Sequence, residues 1–247
     1  MNKTIGVLVL CALPALACRG REPKPSSGFI AFQLSAGAPG AAVVALGSDT
    51  IFLHRVRMVL AELAIAPLLA GECEEEEGED NPPCVEFDEH PVVLDLPLDR
   101  PVLHRDTKPA PATSYTLFQA VIYRPTPAGD TALLRANPDF TGVSIRADGV
   151  YSRAGRHRAF AFGSDFSEKE EILLAFPVVV SAGDSVPVTL LVDVASWFRS
   201  SDGATLVDPM SAGPGGPNEH LVRDHVRMSM QVFRDQDGDG QDDAARP

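Results

Sequence analysis

The chain has 247 residues, 45% of them hydrophobic and 6% aromatic, with 21 Pro and 20 Gly. This is enough apolar content for one large core and enough turn formers for many short elements. Its 34 Asp and Glu against 21 Lys and Arg leave a net charge of −13, which repels phosphate backbones and argues against nucleic-acid binding.

Lys3 precedes an apolar run at residues 5–17, and Cys18 follows it. The run has the length of a signal-peptide h-region and is too short to span a bilayer comfortably. Ala15 and Ala17 satisfy Ala-x-Ala cleavage after residue 17. Ala15-Leu16-Ala17-Cys18 also resembles the bacterial lipobox, with Ala15 where Leu is favoured. That resemblance implies a lipidated Cys18 as the first residue of a mature chain on the bacterial cell envelope. Arg19, standing where inner-membrane lipoproteins carry Asp, implies the outer membrane. Residues 1–17 are therefore read as signal peptide. Residues 18–27, rich in Pro, Ser, Gly and charge, are read as a tether. No later apolar run is long and charge-free enough for a span; the longest, at 56–69, is broken by Arg57 and Glu62.

From Gly28 the pattern is β. Strands are expected at 29–34, at 41–46 after Gly37-Ala38-Pro39-Gly40, and at 50–66. The last segment fits helical and strand periods alike; its Ile, Phe and Val content and the Pro67 stop favour strand. Cys73 and Cys84 then flank an acidic run at 74–80. With Cys11 lost in the signal and Cys18 lipidated, these two cysteines are expected to pair in an oxidising compartment. Two cysteines alone make a poor zinc site. The enclosed carboxylates read as a solvated hairpin tip, or as a site for a cation or basic partner.

Short strands at 85–87 and 92–96 lead to a proline-rich stretch at 98–113, read as loop. Residues 115–124 are apolar on both faces, as a central strand should be. Residues 143–147 alternate, and Asp148-Gly149 reads as a hairpin turn into Val150-Tyr151. Further strands are expected at 156–162, 172–180 and 186–194. A short helix fits Ser196-Trp197-Phe198, and another fits 219–227 before a last strand at 228–233. Strands separated by turn signals every 8–12 residues indicate an all-β antiparallel β-sandwich with short peripheral helices, occupying residues 28–233.

Residues 28–35, 56–63 and 182–194, behind a lipobox, resemble an uncharacterised family of bacterial lipoprotein domains. The late segment, Ala-Gly-Asp-Ser-Val-Pro-Val-Thr-Leu-Leu-Val-Asp-Val, is similar to prealbumin-type, carboxypeptidase-regulatory-like sandwiches. The resemblance implies a β-sandwich on a lipid anchor and assigns no activity.

The acidic tail at 234–247 carries the best chemical signal. Asp235, Asp237 and Asp239 alternate, Gly240 permits a sharp turn, Gln241 offers a backbone carbonyl, and Asp243 is ninth in the loop. Hard Ca²⁺ takes several such oxygens. The twelfth position is Arg246 rather than the EF-hand's glutamate, so the segment looks more like the aspartate loops of thrombospondin type 3 repeats. The competing reading is a disordered acidic tail.

Other motifs are weaker. His104-Arg105-Asp106 looks like a kinase catalytic loop but lacks every companion motif. None of the six histidines forms His-Glu-x-x-His. The expectation is thus a non-enzymatic lipoprotein, joined to a membrane through its N-terminal lipid, with an envelope protein or glycan as partner. The alternative is an extracytoplasmic hydrolase using acidic residues near Asp88, Glu89 and His90.

Overall fold

The computed structural model describes residues 27–37, 42–67, 84–88 and 90–245. Its strands are β1 (Ser27–Ser35), β2 (Val43–Leu46), β3 (Asp49–Ala66), β4 (Val85–Asp88), β5 (Val92–Asp95), β6 (Leu103–Pro111) and β7 (Ser114–Ile122). A short helix α1 (Thr131–Ala136) follows. Then come β8 (Ile145–Arg153), β9 (Arg156–Ser164), β10 (Glu168–Val179), β11 (Ser185–Val192), the helix α2 (Glu219–Met228) and β12 (Met230–Arg234).

Two sheets face each other, as an all-β sandwich requires. One has the order β12-β11-β1-β6, and the other runs β10-β7-β3-β8-β9 with β2, β4 and β5 also paired to β3. Among the described residues all strand pairs are antiparallel except one: β1 lies parallel to β11, Ile30 beside Val186 and Leu34 beside Leu190. That pair joins the two ends of the domain. Phe32 of β1 bridges the sheets, stacked on Phe87 at 4.7 Å and on Phe118 at 6.0 Å between ring centres.

β3 is the spine of the larger sheet. β8 covers one edge of its first half and β7 continues along its second half. With both faces covered, residues 56–61 are all buried, Arg57 included, which explains why this stretch mimics a helix in sequence yet folds as strand. The register shifts between Ala61 and Ala64. Glu62 absorbs the extra residue with φ 53° and points to solvent, so Ala61 and Leu63 both stay inside.

Two local expectations are corrected. The 98–113 stretch is not all loop: residues 103–111 form β6. Its prolines are tolerated because β6 is an edge strand, where a missing N–H costs no ladder bond. Asp148-Gly149 is not a turn. β8 runs straight through it, and the hairpin closes at Ala154 (φ 49°) and Gly155 (φ 77°). Gly149 is required for another reason: a Cβ there would lie 2.0 Å from the Phe52 carbonyl oxygen and 3.0 Å from the Phe160 ring.

Trp197 and Phe198 are core residues following a short 3-10 turn. The Trp197 Nε1–H donates to Ser229 Oγ at 2.9 Å, and the Phe162 ring meets Phe198 edge-on at 5.3 Å. Among the described residues, no helix is long and apolar enough to cross a membrane.

Candidate metal centre

The aspartate segment leaves β12 and folds back over the outer face of the smaller sheet. On β1, Ile30, Phe32 and Leu34 fill the core, so Gln33 and Ser35 face the other way. Thr189, paired with Gln33 across the β1–β11 ladder, shares that face. The loop covers these polar groups. A Cβ on Gly240 would meet Ser35 Oγ at 3.0 Å and the Pro101 carbonyl oxygen at 3.1 Å, so only glycine lets the backbone approach this closely. Gly238 and Gly240 also hold positive φ, at 71° and 79°, which L side chains resist. Through residue 245, the segment is a built loop rather than a disordered tail.

Asp235 is its root. The residue is fully buried. Its Oδ1 accepts the Asp239 N–H at 3.1 Å, and its Oδ2 accepts the Gly240 N–H at 2.9 Å and the Thr189 hydroxyl at 3.2 Å. Burial raises its pKa, against the pull of these hydrogen bonds, the largest of which is that from Gly240. Thr189 has a second acceptor within reach, Gln33 Oε1 at 3.0 Å. One hydroxyl proton cannot serve both acceptors at full strength.

Asp235, Asp237 and Asp239 each offer a carboxylate oxygen, and these oxygens lie within 4.8 Å of one another. Two oxygens bound to one Ca²⁺ at about 2.4 Å are separated by no more than about 4.8 Å, a limit that these three meet, so they could share one metal ion. Asp235 is buried, Asp237 is exposed and Asp239 is half-buried, which leaves the site open to water on its outer side. The other two expected ligands make hydrogen bonds within the loop. Gln241, exposed, donates its N–H to Asp239 Oδ1 at 3.0 Å and its side-chain amide to Asp239 Oδ2 at 3.3 Å. Asp243 Oδ2 accepts the Gln236 N–H and so ties the loop's exit to its entry. Arg246 lies outside the described residues.

Cys18, Cys73, Glu89 and the acidic run at 74–80 also lie outside the described residues. Cys84 is the first described residue after the acidic run. It stands immediately before β4, whose Val85 pairs with Ile65 of β3.

Asp88 and His90, proposed for hydrolysis, meet different surroundings. Asp88 is pushed up first by burial, and its charged neighbours are Arg105, Asp106 and Lys108 on β6. His90 instead lines an open groove with Arg55, Arg57, Asp95, Asp130 and Asn137. The carboxylates of that groove are engaged. Asp95 accepts from Arg55 at 2.5 Å, and Asp130 Oδ2 accepts from the Tyr123 hydroxyl at 3.0 Å and the Thr126 N–H at 2.7 Å. The kinase-like triplet falls within β6, where Asp106 pairs with Lys108 at 3.1 Å. Half-buried His225 has its Nδ1 3.2 Å from the Trp197 carbonyl, and His220 lies beside Arg223 on the surface of α2.

Comparison with protein-family models, curated proteins and solved structures yields no match.

Sequence periodicity had no means of finding Thr189, Gln33 and Ser35 as the floor of the loop. They come from two strands paired in parallel over a separation of more than 150 residues.

Proposed function

We propose that this protein is a lipid-anchored, non-enzymatic lipoprotein of the bacterial cell envelope, a binding or structural module whose C-terminal aspartate loop holds one Ca²⁺. The observation that carries the cation reading is the seating of Asp235: a buried carboxylate anchored by two backbone N–H groups, with the Asp237 and Asp239 oxygens within 4.8 Å. Two or three carboxylates crowded together repel each other, and a hard dication relieves that repulsion while supplying oxygen-seeking charge. A thiol or imidazole is absent from the cluster, which suits Ca²⁺ better than zinc. The affinity expected of such an exposed extracellular site is about 10⁻⁴–10⁻³ M.

The anchor reading rests on the lipobox resemblance at Cys18, and it puts the loop on the extracytoplasmic side. The same compartment supports a Cys73–Cys84 disulfide, which would close the short acidic loop with a stabilisation of about 2–3 kcal/mol. With Asp88 and His90 in different surroundings, a binding role toward an envelope protein or glycan is the reading best supported.

The test is thermal unfolding of the mature protein in EGTA and in 10 mM Ca²⁺. At a Kd of about 10⁻⁴ M, that concentration stabilises by about 2.7 kcal/mol. An unchanged melting temperature sinks the calcium assignment.

A further inference from the structure

Three large apolar side chains stand in water along one strand. On β10, Leu173, Phe176 and Val179 are 71%, 53% and 58% exposed. Single exposed apolar residues need no explanation, but a row of them marks a contact surface.

We propose that this row is the face on which the domain rests against a lipid bilayer. The inference builds on the Cys18 anchor above. It rests on the position of Ser27, the first described residue. The Ser27 carbonyl accepts the Gly183 N–H at 3.0 Å, and the Phe29 N–H donates to the Asp184 carbonyl at 2.8 Å. The Val180 side chain packs so closely on Gly28 that a Cβ there would lie 2.6 Å from its Cγ1. The apolar end of β10 therefore abuts the first residues of the domain. From Cys18 to Ser27 there are nine steps of chain (27 − 18 = 9), which reach at most about 30 Å when fully extended. A lipid on Cys18 keeps this end of the sandwich beside the membrane.

The polarity of β10 agrees. Its far half carries Glu168, Glu170 and Glu171, and Arg227 pairs with Glu168 at 3.1 Å and with Glu170 at 2.8 Å. Along β10 itself, charge thus sits in the half away from Gly28 and apolar surface in the half beside it. A second copy adding to the open edge of β10 is the poorer occupant. Residues 174–177 bulge out of register, between Leu173 opposite Leu117 and Val178 opposite Tyr115. Pro177 within the bulge has no N–H to offer a new strand. The chain's net charge of −13 is repelled by an anionic surface, so the bilayer that fits is zwitterionic.

The experiment uses the acylated mature protein in phosphatidylcholine vesicles containing nitroxide-labelled lipid. A fluorophore is placed on Phe176→Cys, on Val179→Cys, or on Arg156→Cys beside the β8–β9 turn as control, and acylation of each variant is checked by mass. The expected result is loss of most emission at 176 and 179 and none at 156, with melting temperatures unchanged. An acylated, vesicle-bound protein with bright labels at 176 and 179 overturns the docking face and leaves the anchor standing. Crosslinking of two copies through position 176 in place of quenching overturns it likewise. Absence of acyl mass on Cys18 overturns the anchor itself, and the docking face with it.

Discussion

Arg57 and Arg146 lie directly opposite each other across the β3–β8 ladder, and the Asp139 carboxylate sits between them. Like charges in that position repel. Asp139 pairs with Arg57 and lies 3.6 Å from Arg146 Nε, while the Asp139 carbonyl accepts from Arg146 Nη1 at 2.8 Å. Arg57 also stacks its guanidinium 4.9 Å from the centre of the Phe140 ring. This cluster pins the 124–144 excursion, with α1, to the joint where β7 ends and β8 begins.

Removing the carboxylate leaves two opposed, partly buried cations. Asp139→Ala is expected to cost about 2–4 kcal/mol. Arg146→Leu added to it is expected to recover part of that loss, because one of the repelling charges is gone. Urea midpoints of the two single variants and the double variant give the coupling energy; additive losses would show that the repulsion is not the cause.

Gly149 and Gly155 are both glycines of the β8–β9 hairpin, but they are needed for different reasons. Gly149→Ala forces a methyl against backbone, which cannot move aside as a side chain can. A loss of about 2–3 kcal/mol or more is expected. At Gly155 there is open space and only the positive φ resists, so Gly155→Ala is expected to cost about 1 kcal/mol. Thermal melts should rank the two in that order.

Asp235 and Asp237 separate structure from metal binding. In EGTA, Asp235→Ala leaves the Asp239 and Gly240 N–H groups without their buried acceptor and is expected to cost about 2–3 kcal/mol. Asp237→Ala, on the exposed side, is expected to cost less than about 1 kcal/mol. Both variants should lose the Ca²⁺-dependent rise in melting temperature. An Asp237→Ala protein that still responds fully to Ca²⁺ would remove Asp237 from the ligand set.

Glu170 gives a pH dependence. Burial raises its pKa from an ordinary 4.5, and the Arg227 hydrogen bond and charge pull it back incompletely. The folded state thus binds its proton more tightly than the unfolded chain. The resulting stabilisation is fully present below pH 4.5 and is lost as pH rises through the raised folded value. Glu170→Gln resembles the protonated residue at every pH. It should match the wild type below pH 4.5 and become relatively more stable above it. Urea titrations at pH 4, 5, 6 and 7 read that crossing; a variant that weakens relative to wild type with rising pH would reverse the sign.

What the sequence determined by itself was local. Residues 115–124 carry apolar groups on both faces and fold as the central β7. The amphipathic pattern at 219–227 folds as α2, with Val222 and Val226 buried. The Asp-x-Asp-x-Asp-Gly spacing by itself brings three carboxylates together, because backbone N–H groups four and five residues on can reach the first aspartate. Such features depend on residues a few positions apart, and their physics is short-ranged. Tertiary structure decided the rest. An edge position made a strand of the proline-rich 103–111, and a neighbouring carbonyl, rather than a turn, demanded Gly149. The parallel β1–β11 pair put Thr189 beside Gln33 and gave Asp235 a floor to be buried against. Burial and strand pairing are summed over partners far apart in the chain, and no window of sequence contains both members of those contacts.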